Sequence, residues 1–389
     1  MSGELETLRA RARALGESAD PLAHGDDTDA AARRALAALA EAELLGFAVR
    51  ADSGGNATSL ASADDVSVRA LSVLRDELAY YDGLLDLMLV MQGLGSYPLQ
   101  RGGSDALRHE VLPRVVRGEA IAGYCLTEPG AGSSLDEIAT TATREGDQWR
   151  LDGHKIYISN APIADFVTVL ARTGGEPGDR GTDHLSMFYV PVPSAGLSTA
   201  PFEVIAPHPI GEVRFDGVRV PDTQRLGAVG QGLEIALATL GRFRTTVAAA
   251  ATGFARRALD ESRQHLSTRH QFGRPLGANQ GLRFDLAEMD TRLRAAQLLV
   301  NEAANLTDTG DPSGPHAVAR AKLFATEEAG FICDRAVQHH GGSGVHKGVL
   351  VEQLYREVRA LRIYEGASEV QRVILGKGVL GRDGSTGSF

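Results

Sequence analysis

The sequence predicts a mainly helical protein with a smaller β domain between two helical regions. Apolar residues recur at helical spacing from residue 1 to about 122 and again from about 229, whereas the period falls towards two in between. The chain has 389 residues, which is enough for two or three domains with well-buried cores. We therefore expect an N-terminal helical domain at 1–122, a middle β domain at 123–228 and a C-terminal helical domain at 229–389.

The N-terminal region carries the start and stop signals of several helices. Asp29 is placed to cap the alanine-rich run Ala30–Leu45, and Gly46 is placed to end it. After a loop-like stretch, helical periodicity returns in Val66–Tyr81 and Leu84–Leu94. These elements form the first predicted helical domain.

The middle region alternates apolar and polar residues in short runs separated by turn signals. The predicted strands are Trp149–Leu151, Lys155–Ile158, Phe166–Leu170 and Val213–Phe215. Asp152-Gly153 is predicted to form a hairpin turn between the first two. We expect these strands to make a barrel or a sandwich.

The C-terminal region begins with a long amphipathic helix. Its apolar stripe has members at helical spacing, namely Val247, Ala251, Phe254, Ala258 and Ser262. The alanine run within it favours close helix packing, as in a bundle.

Composition excludes several classes of protein. The formal net charge of −10 argues against the concentrated basic face that nucleic-acid binding requires. No stretch reaches the ~18 apolar residues of a membrane span, and the first residues do not read as a signal peptide. With Cys125 and Cys333 as the only cysteines, neither a disulfide framework nor a zinc cluster is available. We expect a cytoplasmic protein without a metal site.

Two segments of the middle region have residue types suited to a flat, anionic ligand. The glycines of Tyr124–Ser133 let backbone N–H groups approach such a ligand, and Thr127 and Ser133 add hydroxyl groups. Tyr157 and Ser159 are predicted to share one face of a strand, where they could stack on a heterocycle and bond its edge. Taken alone, such patterns more often mark an ordinary turn and a half-buried strand.

Two further segments lie in the C-terminal region. In Arg269–Leu276, Arg269 offers a planar set of donors suited to a pyrophosphate. Gly341 and Gly342, in Ala336–Gly344, permit close backbone approach to a ligand. The alternatives are an exposed interhelical loop and a plain helix-ending loop.

The fifth segment is Tyr364–Glu369. It places Glu365 beside Gly366 at the end of a predicted helix, Tyr355–Ile363. A carboxylate in that position can turn into a cavity and remove a carbon-bound proton. In isolation, a Glu-Gly pair more often marks a solvated helix end.

In their order and separations these five segments resemble the acyl-CoA dehydrogenase family of flavoproteins, over nearly the whole chain. The resemblance implies a middle β-barrel or sandwich, a C-terminal four-helix bundle, and FAD between the two. It implies Glu365 as the catalytic base, with Arg244, Tyr364 and Gly366 as substrate contacts. The residues implied in FAD binding are Tyr124, Leu126, Thr127, Gly132, Ser133, Tyr157, Ser159, Arg269, Gln271, Phe272, Gln280, Gln338, Gly341 and Gly342.

The same resemblance implies α,β-dehydrogenation of an acyl thioester carried on coenzyme A or on an acyl carrier protein. Glu365 would remove the α-proton while the β-hydride passes to flavin N5, leaving a trans-2-enoyl thioester. Electrons would leave through an electron-transferring flavoprotein unless oxygen takes them directly. A homotetramer, built as a dimer of dimers, is implied because Arg269–Gln280 would serve a neighbouring subunit's flavin.

Two alternatives stay open at this stage. One is a flavin monooxygenase of the same fold, although such relatives usually lack the glutamate. The other is a flavin-free scaffold that retains the fold. Tyr157, Ser134, Ala367 and Val345 replace residues usual in the family, which indicates a specialised substrate.

Overall fold

The computed structural model describes residues 3–19, 27–179 and 182–381. Its helices are α1 (Gly3–Ser18), α2 (Thr28–Glu41), α3 (Val68–Tyr81), α4 (Gly83–Gly102), α5 (Asp105–Val116), α6 (Gly232–Thr268), α7 (Gln280–Asp308), α8 (Gly314–His340), α9 (Leu350–Leu361) and α10 (Ser368–Leu380). Its strands are β1 (Ala122–Cys125), β2 (Thr141–Glu145), β3 (Gln148–Ser159), β4 (Phe166–Arg172), β5 (Leu185–Pro191), β6 (Leu197–Pro201), β7 (Ile210–Pro221), β8 (Arg225–Leu226), β9 (His270–Gln271) and β10 (Arg274–Pro275). The predicted mainly helical fold with a central sheet is confirmed.

The chain divides into two compact units. The sheet unit takes its described residues from His24–Ser67 and Leu87–Phe243. The helical unit takes its own from Met1–Ala23, Val68–Asp86 and Arg244–Phe389. Because each unit combines segments that are distant in sequence, the three contiguous domain boundaries expected from the sequence stay a prediction.

The sheet unit is built on one sheet, which joins eight strands among the described residues. Their order is β6-β7-β3-β2-β4-β5-β8, and β1 pairs in parallel with β4. Strand β4 is buried along its whole length. Val167 and Val169 belong to a core shared with β3, β5 and β7, whereas Phe166 and Leu170 share a core with α5. An almost entirely apolar strand is what burial of both faces requires.

The helical unit is organised around the apolar stripe predicted on α6. All five stripe residues, Val247, Ala251, Phe254, Ala258 and Ser262, are buried. Four of them share a core with residues of α7, α8 and α9. Gly253 lies so near α3 that an ideal Cβ on it would be 2.2 Å from the carbonyl oxygen of Asp76. Small side chains on this face therefore set the spacing of the two helices.

The predicted start of α2 was wrong by a short distance. The helix begins at Thr28, and its N-cap is Asp27 instead of Asp29. The Asp27 carboxylate accepts a hydrogen bond from the Ala30 backbone N–H at 2.9 Å. Both aspartates are chemically suitable caps, and the position of the first turn decides between them.

The predicted end of α2 at Gly46 was also wrong. The helix ends at Glu41, and Gly46 lies in a buried 3₁₀ turn, Leu45–Ala48. An ideal Cβ on Gly46 would be 2.5 Å from Oδ1 of Asn56. The glycine therefore allows a close tertiary contact and does not terminate the helix.

The predicted hairpin turn at Asp152-Gly153 does not exist. Strand β3 continues through it and pairs with β7 on both sides, with a register shift between Leu151 and Gly153. Asp152 Oδ1 accepts a hydrogen bond from the Gly217 N–H at 2.9 Å, and a Cβ on Gly153 would be 2.3 Å from Thr140 Oγ1. The two residues form an irregularity within one strand, which their turn-forming composition could not distinguish from a hairpin.

Within the described ranges, no helix is long and apolar enough to cross a membrane.

We predict that Gly253→Ala lowers the free energy of unfolding by about 1–3 kcal/mol, because the new methyl group meets backbone on α3. The matched control is Gly241→Ala on the same helix, where an ideal Cβ meets nothing within 4 Å. For Gly241→Ala we expect no decrease in the free energy of unfolding, and an increase of up to about 1 kcal/mol because alanine has a higher helix propensity than glycine. Urea unfolding followed by circular dichroism measures both, and equal effects of the two substitutions would contradict the packing argument.

Candidate active site

A buried ion pair joins the two candidate ligand-binding segments of the sheet unit. Lys155 Nζ, on β3, donates to Glu128 Oε1 at 2.8 Å and to the Leu126 carbonyl at 3.0 Å. The Glu128 carboxylate also accepts from the N–H groups of Ala139 and Thr140 at 2.7 and 3.0 Å. Burial disfavours the charged carboxylate and by itself raises the pKa of Glu128. The positive charge of Lys155 and the hydrogen-bond donors have the larger combined effect, so the pKa of Glu128 is lowered. The carboxylate is charged and fully partnered.

This ion pair supports an exposed glycine turn. Glu128 and Ala131 exchange both backbone hydrogen bonds, at 2.9 and 3.1 Å, and thereby close the turn. Beyond them Gly132 and Ser133 are exposed, and a Cβ on Gly132 would meet nothing within 4 Å. Open space therefore lies beside the backbone that the sequence predicted to cradle a ligand.

The start of this segment is anchored to the rest of the sheet unit. Tyr124 is half-buried, and its hydroxyl donates to the Ala236 carbonyl at 3.4 Å. Leu126 is buried, and the Thr127 carbonyl accepts from the Ile156 N–H at 2.9 Å. The two predicted segments, around Thr127 and around Tyr157, are thus brought together.

Tyr157 stands at an irregular point of β3. Its φ is 59° and its side chain is 61% exposed, and the pairing register shifts between Lys155 and Ile158. The strand is therefore irregular at Tyr157, although Tyr157 and Ser159 flank the buried Ile158, so their shared face stays a prediction. A bulky residue at positive φ is uncommon, and such positions cluster at functional sites.

Ser159 has a partner that the sequence did not indicate. Its Oγ lies 3.1 Å from Nε2 of His208, whose Nδ1 lies 2.9 Å from the Ala206 carbonyl. Burial lowers the pKa of His208, which keeps the ring neutral. The carbonyl can only accept, so Nδ1 carries the proton and the Ser159 hydroxyl donates to Nε2.

The segments predicted to hold the ADP part of a cofactor converge at one end of the helical unit. The ring of His265, one turn before Arg269, stacks on that of His340 with centroids 4.2 Å apart. His339 Nε2 lies 3.3 Å from Oδ2 of Asp285, one turn into α7. These two contacts bring together the end of α6, the start of α7 and the end of α8.

The predicted ligand-binding side chains in this region are exposed, namely Arg269, Gln271, Phe272, Gln280 and Gln338. The Arg269 guanidinium has no hydrogen-bond or ion-pair partner in the part of the chain that the structure describes. Phe272 and Gly273, with φ of 52° and 75°, form the turn between β9 and β10.

Backbone geometry at the end of α8 requires glycine. Gly341 has φ 58° and ψ −136°, a region that is essentially closed to residues with a side chain. A Cβ on Gly341 or Gly342 would meet nothing within 4 Å, so there is open space beside this exposed loop.

Glu365 lies in a left-handed turn that side chains hold from behind. Glu365 and Gly366 have φ of 52° and 92°. Arg244 Nε donates to the Glu365 carbonyl at 2.8 Å, and Lys322 Nζ and Gln371 Nε2 donate to the Gly366 carbonyl at 2.8 and 2.9 Å. Donors on α6, α8 and α10 therefore fix this turn.

Two polar groups of Glu365 have no partner among the described residues. Its Oε2 is buried without a hydrogen bond, and its backbone N–H has none either among the described residues. Burial raises the pKa of Glu365, and the positive charges of Arg75, Arg244 and Lys322 offset that only in part. The neighbouring Tyr364 is 40% exposed. A poorly solvated carboxylate with a raised pKa is suited to proton transfer.

The sequence reading missed a second buried ion pair in this region. Arg75 Nε and Nη2 donate to the two oxygens of Asp86, both at 2.7 Å, and Nη1 donates to Thr246 Oγ1 at 2.9 Å. The sequence did contain an indication of this ion pair, because the charged residue Arg75 lies within the apolar stripe of α3, between Leu71 and Leu78. Lys322 and Lys155 were missed as well.

No group of three or more histidine, cysteine, aspartate or glutamate side chains in the described ranges could hold a metal ion.

Comparison with known proteins identifies the family. Profiles described as the acyl-CoA dehydrogenase N-terminal, middle and C-terminal domains match residues 2–119, 123–218 and 230–380. A 3-(aryl)acrylate reductase from Clostridium sporogenes is 35% identical over 96% of this chain and 98% of its own length. The probable acyl-CoA dehydrogenase FadE25 from Mycobacterium leprae is 35% identical over 97% of this chain and 95% of its own.

The fold agrees with solved structures of the same family. Butyryl-CoA dehydrogenase from Megasphaera elsdenii superposes with a TM-score of 0.88 at 29% identity, over 98% of this chain and 99% of that one. The chain belongs to the acyl-CoA dehydrogenase family, whose members are FAD-dependent oxidoreductases acting on CH–CH donors.

Proposed function

We propose that this protein oxidises an acyl thioester to the trans-2-enoyl thioester and that Glu365 is the base. The observation that carries the proposal is the Glu365 carboxylate, which has a buried, unpartnered oxygen in a turn fixed by Arg244, Lys322 and Gln371. A solvated helix end would not hold its backbone in this way. The presence of the glutamate also disfavours the monooxygenase alternative.

The residues present fit FAD. Open space lies beside the backbone of Gly132 and Gly341, and the Arg269 guanidinium has no partner among the described residues, as a cofactor with a pyrophosphate requires. We propose that Arg269, Gln280 and Gln338 hold the ADP part, and that Tyr157 and Ser159 lie along the isoalloxazine. When bound, FAD supplies the hydride acceptor at N5.

The protein's own groups account for the acid–base part of the reaction. The carbonyls of Glu365 and Gly366 are engaged from behind, which leaves the Glu365 N–H to donate to the thioester carbonyl. That hydrogen bond increases the acidity of the substrate's α-carbon. Glu365 then accepts the α-proton, and its raised pKa makes it a stronger base.

The assembly and partners follow from the family and form part of the proposal. We propose a homotetramer in the cytoplasm, a thioester of coenzyme A or of a carrier protein as substrate, and an electron-transferring flavoprotein as electron acceptor. Phe272, 97% exposed at the tip of the β9–β10 turn, is suited to a contact with a neighbouring subunit.

We predict that Glu365→Gln slows substrate-dependent flavin reduction by about 10²–10⁴-fold while FAD stays bound, because glutamine keeps the size but is not basic. Anaerobic stopped-flow absorbance measures the rate. The matched control is Glu302→Gln, the same change at an exposed residue of α7, which should leave the rate unchanged. A Glu365→Gln rate within about tenfold of the parent, below that range, would rule Glu365 out as the base.

We predict that Arg269→Ala weakens FAD binding by about tenfold or more, since a charge-assisted hydrogen bond contributes ~1.5–3 kcal/mol. Flavin fluorescence on serial dilution measures the dissociation. Arg263→Ala, at an exposed residue of α6 that pairs with Asp260, should leave binding unchanged. Equal FAD retention in all three proteins contradicts the assignment of Arg269.

We predict that flavin reduction accelerates as pH rises through the raised pKa of Glu365, because the base must be ionised. Burial lowers the pKa of Lys322 to about 8, so below that pH Lys322 is positively charged and favours ionised Glu365. Lys322→Met should therefore move the acid limb of the rate profile to higher pH. Arg320→Gln, at an exposed residue of the same helix, should leave the acid limb in place. If the acid limb of Lys322→Met lies at the same pH as that of the parent, Lys322 does not influence the ionisation of Glu365.

A further inference from the structure

The connection between β6 and β7 packs against the irregular stretch of β3. The ring of Phe202 meets that of Tyr157 edge to face, with centroids 5.5 Å apart and an interplanar angle of 86°. At the other end of this connection, the Pro209 carbonyl accepts from the Asn160 N–H at 2.7 Å. Asn160 has φ 66°, so its backbone, like that of Tyr157, lies in the left-handed region. Contacts from one connection therefore support both ends of Tyr157–Asn160.

Between these two ends, the backbone of Ser159 is fixed independently of its hydroxyl group. Ser159 pairs with Ile210 in the register of β3 and β7, and the neighbouring Ile158 pairs with Gly211. The Ser159 side chain is half-buried, and His208 is the one hydrogen-bond partner of its hydroxyl group among the described residues. Sheet pairing therefore sets where the serine lies, whereas His208 sets the direction of its O–H bond.

His208 can only accept from this hydroxyl group. Its Nδ1 donates to the Ala206 carbonyl at 2.9 Å, which leaves Nε2 without a hydrogen in the neutral ring. Burial lowers the pKa of His208, and among the described residues no carboxylate oxygen lies within 4.0 Å of the ring to stabilise a second proton. With its hydrogen directed at Nε2, 3.1 Å away, Ser159 Oγ presents only lone pairs to a ligand.

We propose that His208 is a positioning residue that makes Ser159 a hydrogen-bond acceptor towards N5 of bound FAD and thereby favours the reduced flavin. The proposal rests on the proposed function, in which Ser159 lies along the isoalloxazine. Oxidised N5 has a lone pair and no hydrogen, so it gains nothing from a hydroxyl group that can only accept. Reduced N5 carries a hydrogen, which such a hydroxyl group accepts.

A serine without this histidine would have the opposite preference removed. A hydroxyl group with no acceptor in the protein can rotate, so it donates to oxidised N5 and accepts from reduced N5. His208 takes away the first of these hydrogen bonds and keeps the second. It therefore increases the affinity for reduced FAD relative to oxidised FAD, which raises the reduction potential of the bound flavin and favours hydride transfer to it.

The test is the midpoint potential of the bound flavin, measured by spectroelectrochemical titration with no thioester present. We expect His208→Leu to lower the ratio of the affinities for reduced and oxidised FAD by about 3- to 10-fold, the effect of one neutral hydrogen bond. For a two-electron couple this corresponds to a potential lower by about 15–30 mV. The matched control is His154→Leu, at a half-buried histidine of the same strand that contacts Glu212, and it should leave the potential unchanged.

A second background shows whether His208 acts through Ser159. Ser159→Ala removes the hydroxyl group, so His208→Leu added to Ser159→Ala should change the affinity ratio by less than about twofold. His208→Gln keeps a side-chain carbonyl that can accept from Ser159, so its potential should lie nearer to that of the parent than to that of His208→Leu. If His208→Leu does not fold, His208→Phe, which keeps a flat ring without nitrogen atoms, takes its place in both comparisons.

Two results would overturn the proposal. An unchanged potential in His208→Leu would show that the direction of the Ser159 hydroxyl group does not affect the flavin. An equal fall in the Ser159→Ala background would show that His208 acts without Ser159. Failure of every thioester to reduce the flavin of the parent would instead refute the proposed function, and the potentials would still test the role of His208, since the electrode sets them.

Discussion

The left-handed turn at Glu365-Gly366 is the constraint on which the candidate active site depends. Gly366 adopts positive φ without steric cost, but Glu365 carries a side chain and is unfavourable at positive φ unless the surroundings hold it there. Arg244, Lys322 and Gln371 provide that support by binding the two carbonyl oxygens from three different helices. With its carbonyl engaged, the Glu365 N–H has no partner in the described structure, and neither does the buried carboxylate oxygen. The support therefore keeps the reactive groups available for a substrate.

In the sheet unit a buried lysine also binds a backbone carbonyl, but there the lysine has a counter-ion. Lys155 binds the Leu126 carbonyl as Lys322 binds that of Gly366, and both lysines are fully buried. Lys155, however, has Glu128 as a counter-ion at 2.8 Å, so its charge is satisfied within the fold. Lys322 has no such partner among the described residues. The first lysine stabilises a turn, whereas the second also contributes to the electrostatic environment of Glu365.

Histidines contact the candidate binding segments in each of the two units. The stacked rings of His265 and His340 join the ends of α6 and α8, and His208 fixes the direction of the Ser159 hydroxyl. Because Ser159 donates to His208, its lone pairs remain to accept a hydrogen bond from a ligand. A change at His208 would therefore alter the hydrogen-bonding character of Ser159 without touching its position in β3.

The sequence by itself determined the order helical, β, helical, the apolar stripe of α6 and the family. These follow from local periodicity and from motifs that lie close together in the chain, which a single sequence records directly. It could not place the cap of α2 at Asp27, the continuous path of β3 through Asp152-Gly153, or the Arg75–Asp86 pair. The path of β3 and the Arg75–Asp86 pair depend on partners distant in sequence, such as Gly217, Thr140 or Thr246, whereas the cap depends on where the first turn of α2 begins. The tertiary structure also decided the support of the Glu365 turn, because the donors that bind its two carbonyls come from three separate helices.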